Sequence, residues 1–248
     1  MQRRDLIRGL VGLPFMLFSS ASSAKQKPPP NADFGEWFRS WWSRDYGMLG
    51  YYADDNAALL ASKAPVDIVF IGDSITEGWF DKRPGFFSKG RVDRGISGQT
   101  TTQMLLRMIS DVVALRPRAV HIMGGANDVA GNAGPMTPQM TEDNFRAMID
   151  IAQRHGIKVI VGSVPPTAKF PWSPQVETVN SIAALNVRLK RLAARTGATW
   201  VDYNPVLNDG HGGMKPGLAY DGVHPSEAGY DVMATVIEPV MKRVLARK

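Results

Sequence analysis

A chain of 248 residues with 44% hydrophobic content has enough apolar mass for one substantial core, more than two small domains would share. The absence of cysteine excludes disulfides, thiolate nucleophiles and cysteine-based zinc sites. The formal charge of +6 is spread over scattered Lys and Arg rather than gathered into a basic block, which argues against a nucleic-acid partner.

The N-terminus reads as an export signal over residues 1–24. A basic stretch, "MQRRDLIRG", precedes an apolar core, "LVGLPFMLF", and "SSASSA" supplies small residues for cleavage after Ala24. Arg3-Arg4 followed by Asp5, Leu6 and Ile7 has the look of a twin-arginine signal. Its apolar core is short for a membrane span, so no stable anchor is expected once the signal is removed, an uncleaved anchor being the alternative. "KQKPPPNAD", residues 25–33, is a Pro-rich linker, and residues 34–248 form one expected domain. That domain opens on the aromatic-dense "FGEWFRSWWSRDYGMLGYY". Phe34 with Phe38 and Trp37 with Trp41 have helix-face spacing, suited to a helix packed on the domain or to platforms for a sugar or acyl ligand.

Strand-like and helix-like runs then alternate. The strand candidates are 66–72, 91–96, 119–125, 158–163 and 199–203. Met104, Leu105, Met108, Ile109, Val112 and Val113 predict one amphipathic helix, capped within Thr100 to Thr102 and stopped by Pro117. A second is expected from about Thr141 to His155, a third carries Ile182, Leu185, Leu189 and Leu192 to Gly197, and a last follows Pro225. This rhythm predicts an α/β fold with a parallel sheet covered on both faces, its ligand site beyond the carboxyl ends of the strands.

Four segments deliver chemistry to that edge. "VFIGDSITEG" places Ser74 after the first strand, "RGISGQTT" places Gly98 after the second, and "GGANDVAGN" places Asn127 after the third. "YDGVHPSEAGY" puts Asp221 and His224 before the last helix. A serine hydroxyl becomes a nucleophile when a base accepts its proton, and an imidazole tied to a carboxylate is such a base. Ser74, His224 and Asp221 supply these parts. The backbone N–H of Ser74, that of Gly98 and the side-chain amide of Asn127 could bind the oxyanion of a tetrahedral intermediate.

In "GDSIT", "GISGQTT", "GAND" and "DGVHP" the chain resembles the SGNH hydrolase superfamily, the GDSL-type esterases and lipases. The resemblance runs from about Ile68 to Tyr230, with Ile75 where the family name has Leu. It implies a flavodoxin-like three-layer α/β/α sandwich around a mostly five-stranded parallel sheet. It also implies Ser74 as nucleophile, Gly98 and Asn127 completing the oxyanion hole, and Asp221 and His224 finishing the triad.

Other candidates read as structural. "GISG" around Ser97 has the wrong spacing for a GxSxG elbow. Ser163 precedes a Pro165-Pro166 loop that would shape a cleft wall, and His211 lies in a Gly-rich loop expected at the surface. His121 reads as a satisfied core residue, His155 as a helix end, and Asp73 and Asp128 as local braces. The histidines show no metal-ligand spacing, and no cofactor is expected. The expected activity is that of an exported, periplasmic or secreted serine esterase working through an acyl-enzyme on short acyl esters, O-acetylated carbohydrates among them. The alternatives are a lysophospholipase or thioesterase, an O-acyltransferase with the same triad, and a carbohydrate-binding protein on a retained esterase fold. A small-molecule or glycan ester is the only partner the sequence suggests, and it leaves the oligomeric state open.

Overall fold

The computed structural model describes residues 33, 35–36, 40 and 43–246. The stretches read as an export signal and, up to residue 32, as a linker, and the spacings read on Phe34, Trp37, Phe38 and Trp41, lie outside the described residues. After a helix α1 (Ala53–Ser62), five strands follow: β1 (Ile68–Gly72), β2 (Arg91–Gly95), β3 (Ala119–Met123), β4 (Lys158–Gly162) and β5 (Thr199–Val201). They form one sheet in the order β2-β1-β3-β4-β5, every pair parallel. The order reverses at β1, which has β2 on one side and β3 on the other. Such a reversal opens a crevice at the carboxyl ends of β1 and β3.

Alternation along the strands builds two cores. Val69, Ile71, Val120, Ile122, Val159 and Val161 face one way, against α3 (Thr101–Leu106), α4 (Met108–Asp111), α6 (Pro138–Arg154) and α7 (Thr178–Thr196). Ile68, Phe70, Ile160 and Val201 face the other way, against α2 (Ser74–Lys82), α8 (Asn204–Leu207) and α9 (Glu227–Ala246). Burial on both faces is what an all-parallel sheet requires. The result is the three-layer α/β/α sandwich expected from the β-α rhythm. Tyr51 and Tyr52 add a small cluster with Met48 and Ile96 beside the end of β2.

Several boundaries differ from those read in the sequence. β2 to β5 leave the sheet one or two residues earlier at their carboxyl ends, where the chain turns into the loops of that edge, and β1 enters two residues later, at Ile68. Helix α6 starts at Pro138, one turn before the expected Thr141, since Thr137 caps it by accepting from the N–H of Met140 at 3.2 Å. The single helix expected from Met104 to Val113 is broken into α3, α4 and a 3₁₀ turn at Val113–Leu115. Arg107 stands at the break, and its guanidinium is fully buried among backbone carbonyls. Thr100 does cap α3, in a capping box with Gln103.

Candidate active site

The turn from β1 into α2 is built for close approach. A Cβ on Gly72 would lie 2.0 Å from the Thr76 hydroxyl and 2.6 Å from the Met123 carbonyl, so only glycine lets α2 begin directly on the strand end. Asp73 caps the helix, accepting from the N–H of Ile75 at 3.0 Å. Ser74 is therefore the first residue of α2, with its hydroxyl at the rim and its N–H among the unpaired donors of a helix start.

His224 arrives from the loop before α9. That loop is closed by a bridge between Ala219 and Pro225 and by the N–H of Tyr220 donating to the His224 carbonyl at 3.1 Å. The Ser74 hydroxyl lies 2.9 Å from His224 Nε2, and His224 Nδ1 lies 2.7 Å from Asp221 Oδ2. Asp221 Oδ1 also accepts from the N–H groups of Val223 and His224, at 2.9 and 2.8 Å. Partial burial works to raise the Asp221 pKa, but these hydrogen bonds outweigh it and hold the carboxyl below its ordinary value. An ionised carboxylate only accepts, so Nδ1 carries the ring proton and Nε2 presents its lone pair to the serine O–H. The Asp221 and His224 side chains are 32% and 17% exposed, open enough to meet a ligand.

Asn127 lies in α5 (Ala126–Ala130) and is buried. Its Nδ2 donates to the Gln99 carbonyl at 2.9 Å, which ties it to the loop carrying Gly98. Gly98 has φ +79°, a left-handed conformation that suits glycine. Among the described residues, no protein acceptor takes the N–H of Ser74 or of Gly98. Two unpaired backbone donors and a side-chain amide thus follow the carboxyl ends of β1, β2 and β3, the sheet edge from which the Ser74 hydroxyl projects. Sequence reading named all five of these residues.

It missed the groups that hold them. Glu77, one turn along α2, accepts from the Ser97 N–H at 2.8 Å, from the Ser97 hydroxyl and from the Tyr51 hydroxyl. This fixes the peptide just before Gly98. Arg107 donates to the Gly72 carbonyl at 2.8 Å and to the Gln99 side chain at 2.6 Å, beneath the same loop. Asn132 donates to Asn127 Oδ1 at 2.7 Å and accepts from the Trp172 indole at 3.0 Å. Only the rule that places a site at the carboxyl edge could have drawn attention to Trp172, in the segment after β4.

The residues read as structural fall largely as expected. Ser163 is buried and accepts from the Tyr203 N–H and the Asn204 side chain, His211 is exposed, and His155 ends α6. Asp128 accepts from the Thr101 N–H and from the hydroxyls of Thr101 and Thr141. His121 is a correction. Only its Nε2 has a partner, the Tyr203 hydroxyl at 3.1 Å, while Nδ1 is buried with none among the described residues. The ring packs against Phe70 and Tyr203, with centroids 5.0 and 6.1 Å away. No group of three or more potential metal ligands occurs among the described residues.

Comparison with known proteins places the chain in a family. The profile described as "GDSL-like Lipase/Acylhydrolase family" matches residues 70–232. A GDSL-like lipase of known structure from Bacteroides thetaiotaomicron is 38% identical, superposes with a TM-score of 0.76, and covers 80% of this chain and 99% of its own. An acetylxylan esterase from Geobacillus stearothermophilus is 29% identical over 153 residues, 58% of this chain and 68% of that protein.

Proposed function

The chain belongs to the GDSL-like lipase/acylhydrolase family, an ester-hydrolysing group of SGNH type, and on that premise we propose that it is an exported serine esterase working through an acyl-enzyme. The observation that carries the reading is the unbroken line from the Ser74 hydroxyl through His224 to Asp221, at 2.9 and 2.7 Å. Ser74 Oγ attacks the ester carbonyl carbon while His224 Nε2 takes its proton. The carbonyl oxygen becomes an oxyanion and draws on the N–H groups of Ser74 and Gly98 and on Asn127 Nδ2. The bond to the alcohol breaks as the imidazolium returns the proton to the leaving oxygen. Water, deprotonated by the same imidazole, then attacks the acyl-serine and releases the acid. Asp221 holds the ring tautomer and stabilises the imidazolium throughout.

Short acyl esters of carbohydrates are the preferred substrates in this proposal. The similarity to an acetylxylan esterase supports them, and so does the export signal read at residues 1–24, followed by a linker to residue 33 and a single domain from residue 34. No helix among the described residues is long and apolar enough to cross a membrane.

The test is hydrolysis of 4-nitrophenyl acetate by the purified protein and by Ser74→Ala and His224→Ala. Both substitutions are expected to lower kcat by about 10⁴-fold or more with the fold intact by circular dichroism. A fluorophosphonate should label the parent chain at Ser74 and leave Ser74→Ala unlabelled. Hydrolysis at the parent rate by either folded variant would overturn the mechanism.

A further inference from the structure

Two large side chains stand exposed against His224, and both are aromatic. Trp172 is 44% exposed and Tyr220 64%, with ring centroids 6.2 and 5.6 Å from the imidazole. Among the described residues, the large aliphatic side chains that are exposed lie elsewhere: Leu49, Leu60, Leu106, Ile109, Met140 and Val187. None of them belongs to the loops that carry His224, Gly98 or Asn127. A fatty acyl or lysolipid chain would want an aliphatic trough beside the nucleophile. A flat aromatic face suits a pyranose instead, whose C–H bonds carry partial positive charge toward the negative face of the ring.

Position decides which half of the ester meets this wall. In the proposed mechanism His224 returns its proton to the leaving alcohol, so that oxygen sits beside the imidazole. The side chains that flank the imidazole therefore flank the alcohol.

Trp172 is also held firmly. One side of its ring packs on the fully buried Phe170, centroids 5.4 Å apart. Its indole N–H donates to Asn132 Oδ1 at 3.0 Å, Asn132 Nδ2 donates to Asn127 Oδ1 at 2.7 Å, and Asn127 Nδ2 donates to the Gln99 carbonyl at 2.9 Å. An indole can only donate and a backbone carbonyl can only accept, so the polarity of the chain is fixed at both ends. Asn132 must turn its oxygen to Trp172 and its amide to Asn127. Asn127 must then turn its oxygen to Asn132, which leaves its amide, with one hydrogen still unspent on Gln99, as the group beside the oxyanion site.

From this arrangement, and resting on the esterase reading, we infer that Trp172 is the specificity-determining residue of the site. Its exposed face receives a pyranose as the alcohol half of the ester. Its N–H, acting through Asn132, positions the amide of Asn127. One side chain thus couples recognition of the sugar to stabilisation of the transition state.

The two roles separate in two variants of the full chain, assayed on acetylated xylotetraose and on ethyl acetate, whose alcohol is too small to reach the wall. Trp172→Ala is expected to raise KM for the saccharide by about tenfold while KM for ethyl acetate stays within about twofold. Trp172→Phe keeps a ring face and loses the donor. It should leave the saccharide KM near the parent value and lower kcat on both substrates about threefold, well short of the loss of a whole oxyanion donor. Xylotetraose itself should bind Ser74→Ala in calorimetry, and binding should vanish in Ser74→Ala/Trp172→Ala. Equal KM changes on both substrates, or no change on either, would overturn the inference, as would failure of xylotetraose to bind Ser74→Ala. Those failures leave the esterase reading standing, because ethyl acetate hydrolysis still depends on Ser74. Retained hydrolysis in Ser74→Ala would remove the esterase reading, while the binding measurement would still decide whether Trp172 holds a sugar.

Discussion

Asn127 shows how little of a candidate residue's setting is written in its own motif. "GAND" at a strand end is enough to nominate it, because an amide donor at the carboxyl edge has an obvious use. What makes the amide point the right way is Gln99 on one side and Asn132 on the other, and these partners meet Asn127 only in the folded chain. Asn127→Ala is expected to lower kcat by about 10²–10³-fold with KM little changed, the signature of an interaction made in the transition state alone. It also leaves the Gln99 carbonyl and the Asn132 amide without this partner, at about 1–3 kcal/mol each when buried. Kinetics and urea denaturation should therefore be measured on the same variant. A kcat within a factor of three of the parent would remove Asn127 from the oxyanion hole. Glu77, Asn132 and Trp172 escaped sequence reading for the converse reason. Each is a single ordinary residue in a helix or loop, and its importance depends on which neighbour folding brings to it.

At the level of elements, β1, β3 and β4 were legible because central parallel strands buried on both faces are largely apolar runs, while the edge strand β2, with Arg91, Asp93 and Arg94, was legible from its place in the β-α rhythm. The break between α3 and α4 was not legible, because the apolar periodicity runs straight through it. The residue responsible is polar. Arg107 is fully buried, pairs with the equally buried Asp111 at 3.1 Å, and donates to the carbonyls of Arg94 and Gly72 at 2.7 and 2.8 Å. Asp111 in turn accepts from Asn56 of α1 at 2.8 Å, and Asn56 accepts from Arg94 at 2.8 Å. This lattice fastens α1, the end of β2 and the turn at Gly72 that leads into Ser74 to one guanidinium. Two unlike charges buried together gain little over an apolar pair, but removing one partner strands the other without compensation. Arg107→Met should therefore cost about 3–5 kcal/mol in denaturant unfolding. The double variant Arg107→Met/Asp111→Leu should recover part of that loss. A single variant within 1 kcal/mol of the parent would show that the lattice does not hold these elements together.

Across the whole molecule, two buried titratable groups pull stability in opposite directions as the pH falls. Asp73 is pushed up to about 6, chiefly by burial, with the hydrogen bond from Ile75 and the field of His224 opposing and that of Asp128 adding to the rise. Its unfolded counterpart titrates at 3.8. Between about pH 6 and 4 the folded chain thus holds a proton that the unfolded chain lacks, and acidification through that window stabilises the fold. His121 does the reverse. Burial alone pushes it down to about 3, against 6.5 when unfolded, so over the same window the unfolded chain is the one that gains the proton. Each group contributes a slope of about 1.4 kcal/mol per pH unit, with opposite signs, so their effects nearly cancel between pH 6 and 4. Single substitutions separate them. Asp73→Asn keeps an oxygen for the Ile75 N–H and removes the charge, so relative to the parent it should lose stability by about 2–3 kcal/mol between pH 7 and 4. His121→Phe should do the opposite across that range, whatever its starting cost from the Tyr203 hydroxyl it abandons. Urea unfolding at unit pH intervals reads both slopes against the parent. If the two variants diverge from the parent in the same direction, the charges buried beside Ser74 and within the sheet do not set the acid stability of this fold.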